Sequence, residues 1–80
     1  MEDNARAEAD LQLVERLIAD ACGRATALER AIGVMRASNA DAQAADKALM
    51  ATYHALGLLY GRRAILLKVV AAQRHGPWAT

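Results

Sequence analysis

Proline is nearly absent from this 80-residue chain, cysteine occurs once, and aromatic side chains make up only 4% of it. With the only proline at position 77, helix can run unbroken over nearly the whole sequence. Cys22 alone cannot close an internal disulfide, so a reducing cytoplasm is the expected compartment. The hydrophobic share is 55%, but alanine supplies much of it, so the expected core is thin, with closely approaching backbones. Strand signals are missing too, since no strand-like β-branched run is bounded by Asn-Gly or Asp-Gly turns. Charge is balanced at a formal +1, which gives no strong field toward nucleic acid or an anionic membrane. The most apolar stretch, Ala55 to Ala72, is interrupted by Arg62, Arg63 and Lys68, which argues against a transmembrane span. The first ten residues are polar and acidic and lack the apolar segment of a signal peptide.

What the chain does contain is two helical stripes. Ala7, Leu11, Val14, Ile18, Ala21, Ala25, Leu28, Ile32 and Met35 recur at alternating four- and three-residue steps, which lines them up on one side of a helix. Leu49, Tyr53, Leu56, Tyr60, Arg63, Leu67, Val70 and Arg74 repeat that alternation in the second half. Both tyrosine rings are then expected in the seam, with their hydroxyls at its edge. The fold expected is all-α: a long antiparallel helical hairpin of helices about 4–37 and about 40–75, joined through 38–41. Asp3 or Asn4 suits the first N-cap, and a break at Gly23 would give three helices instead. In the joint, Ser38 and Asp41 have capping-box spacing, with Asn39 or Asp41 as other possible caps. Gly76 and Pro77 form a C-terminal stop, and Trp78 follows in a short tail that either folds back or anchors a partner.

Eighty residues sit near the lower limit for one stable core, so self-association into a four-helix bundle dimer is expected. A surface for it is available. Ala51, Leu58, Ile65 and Ala72 recur every seven residues away from the hairpin seam, flanked by Leu59, Leu66 and Val69. A hairpin partner covers one side of a helix, so this apolar area must meet a second copy, a foreign protein, or the first helix through an unexpected twist. Gly57 and Gly61, four apart, would permit close backbone approach, although that motif has its strongest physics in membranes.

Charge is segregated along the chain. Glu2, Asp3, Glu8, Asp10, Glu15 and Asp20 crowd the first twenty residues, whereas Arg62, Arg63, Lys68 and Arg74 are the only charged residues from Gly61 onward, histidine aside. An antiparallel hairpin brings the two clusters together, so Arg63 and Arg74 are expected to pair with Glu8 or Glu15 and fix the register. The alternative is a basic half that grips nucleic-acid phosphates. Catalysis has no support, since His54 and His75 are far apart and Cys22, expected half-buried beside the seam, has no local base. No metal-ligand set, phosphate loop or cofactor motif occurs, so no catalytic, metal or cofactor residue is assigned.

At the level of class, the chain resembles the compact, alanine-rich helical proteins encoded by phages and mobile elements, including anti-CRISPR inhibitors. This resemblance rests on size and helical pattern and assigns no residue. It implies a noncatalytic, stoichiometric inhibitor that docks on a larger nucleic-acid-handling assembly and blocks it by occlusion. From the residues themselves, Leu58, Ile65, Val69, Arg62, Trp78, Glu8 and Glu15 are the candidates for contact with a protein partner. A structural or adaptor homodimer, and a small nucleic-acid-binding dimer, are the alternative functions.

Overall fold

Two alanine-rich helices lie side by side in a computed structural model that describes the backbone of residues 2–75 and the side chains of residues 5–74. Helix α1 spans Glu2–Ala37 and α2 spans Gln43–His75, and they run antiparallel. No strand occurs among the described residues. The molecule is a rod of 63 × 16 × 14 Å with a radius of gyration of 18.2 Å. A compact domain of this length would have a radius of about 12 Å. Among the described residues one interhelical seam is available to bury apolar surface.

Helix α1 is continuous through Gly23 and Gly33, so the three-helix alternative does not occur. It also begins at Glu2, upstream of the expected caps Asp3 and Asn4. Its end is a Schellman turn: the Asn39 N–H donates to the Arg36 carbonyl at 3.2 Å and the Ala40 N–H to that of Met35 at 2.7 Å. Asn39 takes the left-handed conformation that this turn requires, with φ 57°. The expected capping box does not form. Ser38 Oγ instead donates back to the Val34 and Met35 carbonyls at 3.0 and 3.2 Å. Asp41 starts α2, accepting from the Gln43 N–H through Oδ1 at 2.9 Å. This cap moves the helix start from the expected residue 40 to Gln43, and buried Ala42 closes the end of the seam.

Every α1 residue expected in the seam is buried or half-buried, with Ala21 wholly inaccessible. In α2 half of the expected line is wrong. Leu49, Leu56, Arg63 and Val70 do face α1, but the alternate positions are Thr52, Leu59 and Leu66, each one residue earlier than the expected Tyr53, Tyr60 and Leu67. Tyr53 and Tyr60 are 45% and 49% exposed. The phenol hydroxyl needs a partner, and Tyr53 finds one at the margin of the seam in Glu29. Thr52 satisfies its own hydroxyl by donating to the Ala48 carbonyl at 2.8 Å. Leu59 and Leu66, expected on the outer face, therefore pack inward: Leu66 joins Val14, Ile18, Ala21 and Leu56 in the central cluster, and Leu59 lies against it.

This register can be tested on two adjacent residues. Leu66→Ala is expected to lower unfolding stability by about 2–5 kcal/mol, whereas Leu67→Ala should shift it by no more than about 0.5 kcal/mol. Urea unfolding followed by circular dichroism checks both, and a larger loss at Leu67 would refute the register.

Candidate functional site

The hairpin has two broad faces, and they differ chemically. Residues immediately following the Val14–Ala21–Leu28 column of α1 and the Thr52–Leu59–Leu66 column of α2 flank the seam on one side. On α1 these are Glu15, Cys22 and Glu29, continued by Glu8 and Arg36; on α2 they are Tyr53, Tyr60 and Leu67, continued by Asp46 and Arg74.

They form a polar ladder. Arg74 Nη2 donates to Glu8 Oε1 at 3.2 Å, Arg63 Nε lies 3.9 Å from Glu15 Oε1, and Arg36 Nη2 donates to both Asp46 carboxylate oxygens at 3.2 Å. The Tyr53 hydroxyl donates to Glu29 Oε1. This bond holds the phenol above its ordinary value of 10.0, because the Glu29 carboxylate accepts from the neutral form, with burial and the carboxylate's charge acting in the same direction. Arg63 reaches Glu15 from a seam position, its guanidinium extending out of the seam. The pairing of acidic and basic ends expected from the sequence is thus present, and it occupies Glu8 and Glu15 inside the fold.

On the opposite face lie the residues that immediately precede the Ile18–Ala25–Ile32 and Leu56–Arg63–Val70 columns, together with the next column outward. Here the α2 side chains are mainly apolar, whereas the α1 columns are mixed and also carry Arg6, Asp10, Asp20 and Arg24. Leu58 and Ile65 are 66% and 64% exposed, Val69 is exposed beside them, and Arg62 is exposed on the same face. Helix α1 extends this surface with Leu13 and Leu17, both exposed, which sequence reading missed. Their four-residue spacing just outside the α1 stripe was the available signal. Toward the joint the same face turns flat, carrying Ala27 and Ala31 on α1 and Ala48, Ala51 and Ala55 on α2.

Other candidates disperse. The basic half does not make one patch, because Arg63 and Arg74 belong to the ladder while Arg62 lies on the opposite flank and Lys68 on the outer edge of α2. Cys22 is exposed rather than half-buried, and His54 is exposed on the outer side of α2. No group of three or more metal-capable side chains occurs among the described residues, and no described helix is long and apolar enough to cross a membrane. Gly57 and Gly61 are both exposed, and a methyl group added at either would meet nothing within 4 Å, so packing inside the hairpin does not require glycine there. Gly76, Pro77 and Trp78 lie outside the described residues. The sequence matches no protein-family model, and comparison with curated proteins and with solved structures gives no significant match.

Two measurements probe the ladder. Reversing Glu8 and Glu15 to Arg together is expected to destabilise the fold by about 0.5–1 kcal/mol at low salt, given partners that are about half exposed, and by much less in 1 M salt. A salt-independent loss would mean that the carboxylates act by packing. The Tyr53–Glu29 bond needs a protonated phenol, so its contribution is complete below the unfolded-state value of 10.0 and is lost as pH rises through the higher folded-state value. Tyr53→Phe should therefore melt with a shallower alkaline decline than the parent; identical alkaline limbs would remove the assignment.

Proposed function

We propose that this protein is a noncatalytic protein-binding module, and that its contact surface is the apolar face built on Leu58, Ile65 and Val69 with Arg62 beside them. The observation that carries this reading is the exposure of Leu58 and Ile65, at 66% and 64%, on a side of α2 that α1 does not cover. Large aliphatic side chains gathered on one face in this way favour burial against a partner, at about 25 cal/mol per Å² removed from water. Two helices packed side by side present convex surfaces, which suit docking better than enclosure of a substrate.

In its specific form, the proposal is a stoichiometric inhibitor of the anti-CRISPR kind, acting in the cytoplasm by covering a site on a larger nucleic-acid-handling assembly. A 63 Å rod only 14–16 Å thick is a shape suited to such occlusion, with length to span a functional groove. The second reading is a structural or adaptor homodimer, favoured by the continuation of the apolar face onto α1 through Leu13 and Leu17. Direct nucleic-acid binding has less support, since the cations that a phosphate patch would need are divided between two faces.

A tagged pull-down from host lysate, with and without nuclease, tests the reading. A nuclease-resistant protein of the nucleic-acid-handling class, retained by the parent and lost with Leu58→Asp/Ile65→Asp, is the expected outcome. Retention of nucleic acid alone, with affinity that falls steeply as salt rises, would replace the proposal with a phosphate-binding role.

A further inference from the structure

Three weak features of the hairpin fall at one height on the rod. Equal numbers of residues separate Glu8, Glu29 and Arg36 on α1 and their partners Arg74, Tyr53 and Asp46 on α2, so each step along α1 matches one step back along α2. On that scale Ala21 lies level with Gly61, Cys22 with Tyr60, Gly23 with Leu59 and Ala25 with Gly57. This height is near the middle of the 63 Å length.

The first feature is glycine on the backs of both helices. Gly23, Gly57 and Gly61 are exposed, and a methyl group added at any of them would meet nothing within 4 Å. Packing inside the hairpin does not require glycine there, yet each one frees backbone that alanine would hold in the helix. The second is the seam itself, where α1 sets only Ala21 and Ala25 against Leu56 and Leu59. The third is at the margins. Cys22 and Tyr60 make no side-chain hydrogen bond or ion pair among the described residues, which leaves a gap in the ladder between Arg63–Glu15 and Tyr53–Glu29. On the other flank Asp20, Arg24 and Arg62 are exposed and enter no ion pair among the described residues. The rod is better tied on either side of this height. Toward the joint Ile32 and Leu49 occupy the seam near the Arg36–Asp46 pair, and toward the open end Val14, Ile18 and Leu66 do so near the Arg63–Glu15 contact. Gly33 is the other exposed glycine of α1, and it has no glycine level with it on α2.

We infer that this height is a waist at which the whole hairpin bends, with the seam staying shut on Ala21 and Leu56. Bending in the plane of the two helices stretches the back of one and shortens the back of the other, and glycine lowers the cost of both distortions. Because glycine lies on both backs, the rod bends toward either edge. The alanines of the seam have the fewest contacts to lose as the helices tilt, and no rung of the ladder braces the gap. The bend swings the aliphatic half of the apolar face, around Leu17 and Ile65, relative to the alanine half toward the joint. A face divided in this way adjusts to a partner by moving two stiff halves rather than by repacking either.

Double electron–electron resonance on the full chain tests it. In a Cys22→Ser background, nitroxides at Gln12→Cys and Arg30→Cys stand on the exposed side of α1 across the waist, about 27 Å apart along the helix. Labels on the back of a helix move apart or together as it bends, so the distance distribution reads the waist directly. That distribution is expected to be about half again as broad in the parent as in Gly23→Ala/Gly57→Ala/Gly61→Ala. Gly33→Ala, which strengthens α1 away from the waist, should leave the breadth unchanged. Amide hydrogen exchange gives a second readout. The triple variant should slow exchange about fivefold or more over residues 21–27 and 57–63, and leave residues 30–36 and 46–50 within about twofold of the parent. Equal breadth in parent and triple variant, or the same narrowing with Gly33→Ala, would overturn the waist. Exchange slowed evenly along both helices would overturn it too, because the glycines would then act only through global unfolding. A stiff rod leaves the binding reading intact, since Leu58 and Ile65 are exposed in either case.

Discussion

Ala21, with no accessible surface, marks the point on which the rest of the hairpin depends. It sits among Val14, Ile18, Leu56 and Leu66 in the cluster that both helices build, and that cluster fixes which residues face inward. Thr52 lies inside the seam and Tyr53 at its margin. The displaced tyrosines stand along one margin, where Tyr53 meets Glu29 in the same column as Glu8 and Glu15. Two helices side by side cover only one side of each other, and large aliphatics outside that seam lie on the outer face of α2 and on the flank of α1.

One margin thus resembles the rim of an interface and the other its centre. On the ladder side, carboxylates and guanidiniums are committed to one another, and they act as a register lock rather than as a large source of stability. On the opposite side Leu58 and Ile65 are left largely exposed by the described residues. Soluble monomers seldom carry such a cluster without a partner for it.

Much of this was legible in the sequence, and the failures have physical causes. The α1 stripe could be read in full because its neighbouring columns are mostly polar or charged, so apolar periodicity has one solution. In α2 the column through Leu49, Leu56, Arg63 and Val70 was also read correctly, although its flanks, such as Ala48, Ala55, Gly57 and Ala64, are small rather than charged. Its companion was ambiguous, since Thr52–Leu59–Leu66 and Tyr53–Tyr60–Leu67 both satisfy helical periodicity and the second is bulkier. Hydrophobicity does not separate the two; the Tyr53 hydroxyl, which needs a partner and finds Glu29 at the margin, favours the line that leaves the tyrosines outside. At the joint, Asn39 was readable as a special residue, but whether it ends one helix or begins the next depends on a left-handed backbone that composition does not specify. The outer face of α2 was readable from Leu58 and Ile65; its extension onto Leu13 and Leu17 emerged only once the register placed the helices side by side.

The tight joint has a kinetic consequence. With α1 ended at Ala37 and α2 begun at Gln43, the first contacts between the helices close a very short loop, and each later pair of turns closes a longer one. Assembly therefore favours zipping from the Arg36–Asp46 pair outward, and opening favours the reverse, from the Glu8–Arg74 end. The bulky apolar cluster of Leu13, Leu17, Ile65 and Val69 lies toward that late-closing end. A partner that grips it acts as a clasp on the open mouth of the zipper, holding shut the part of the hairpin that its own loop restrains least.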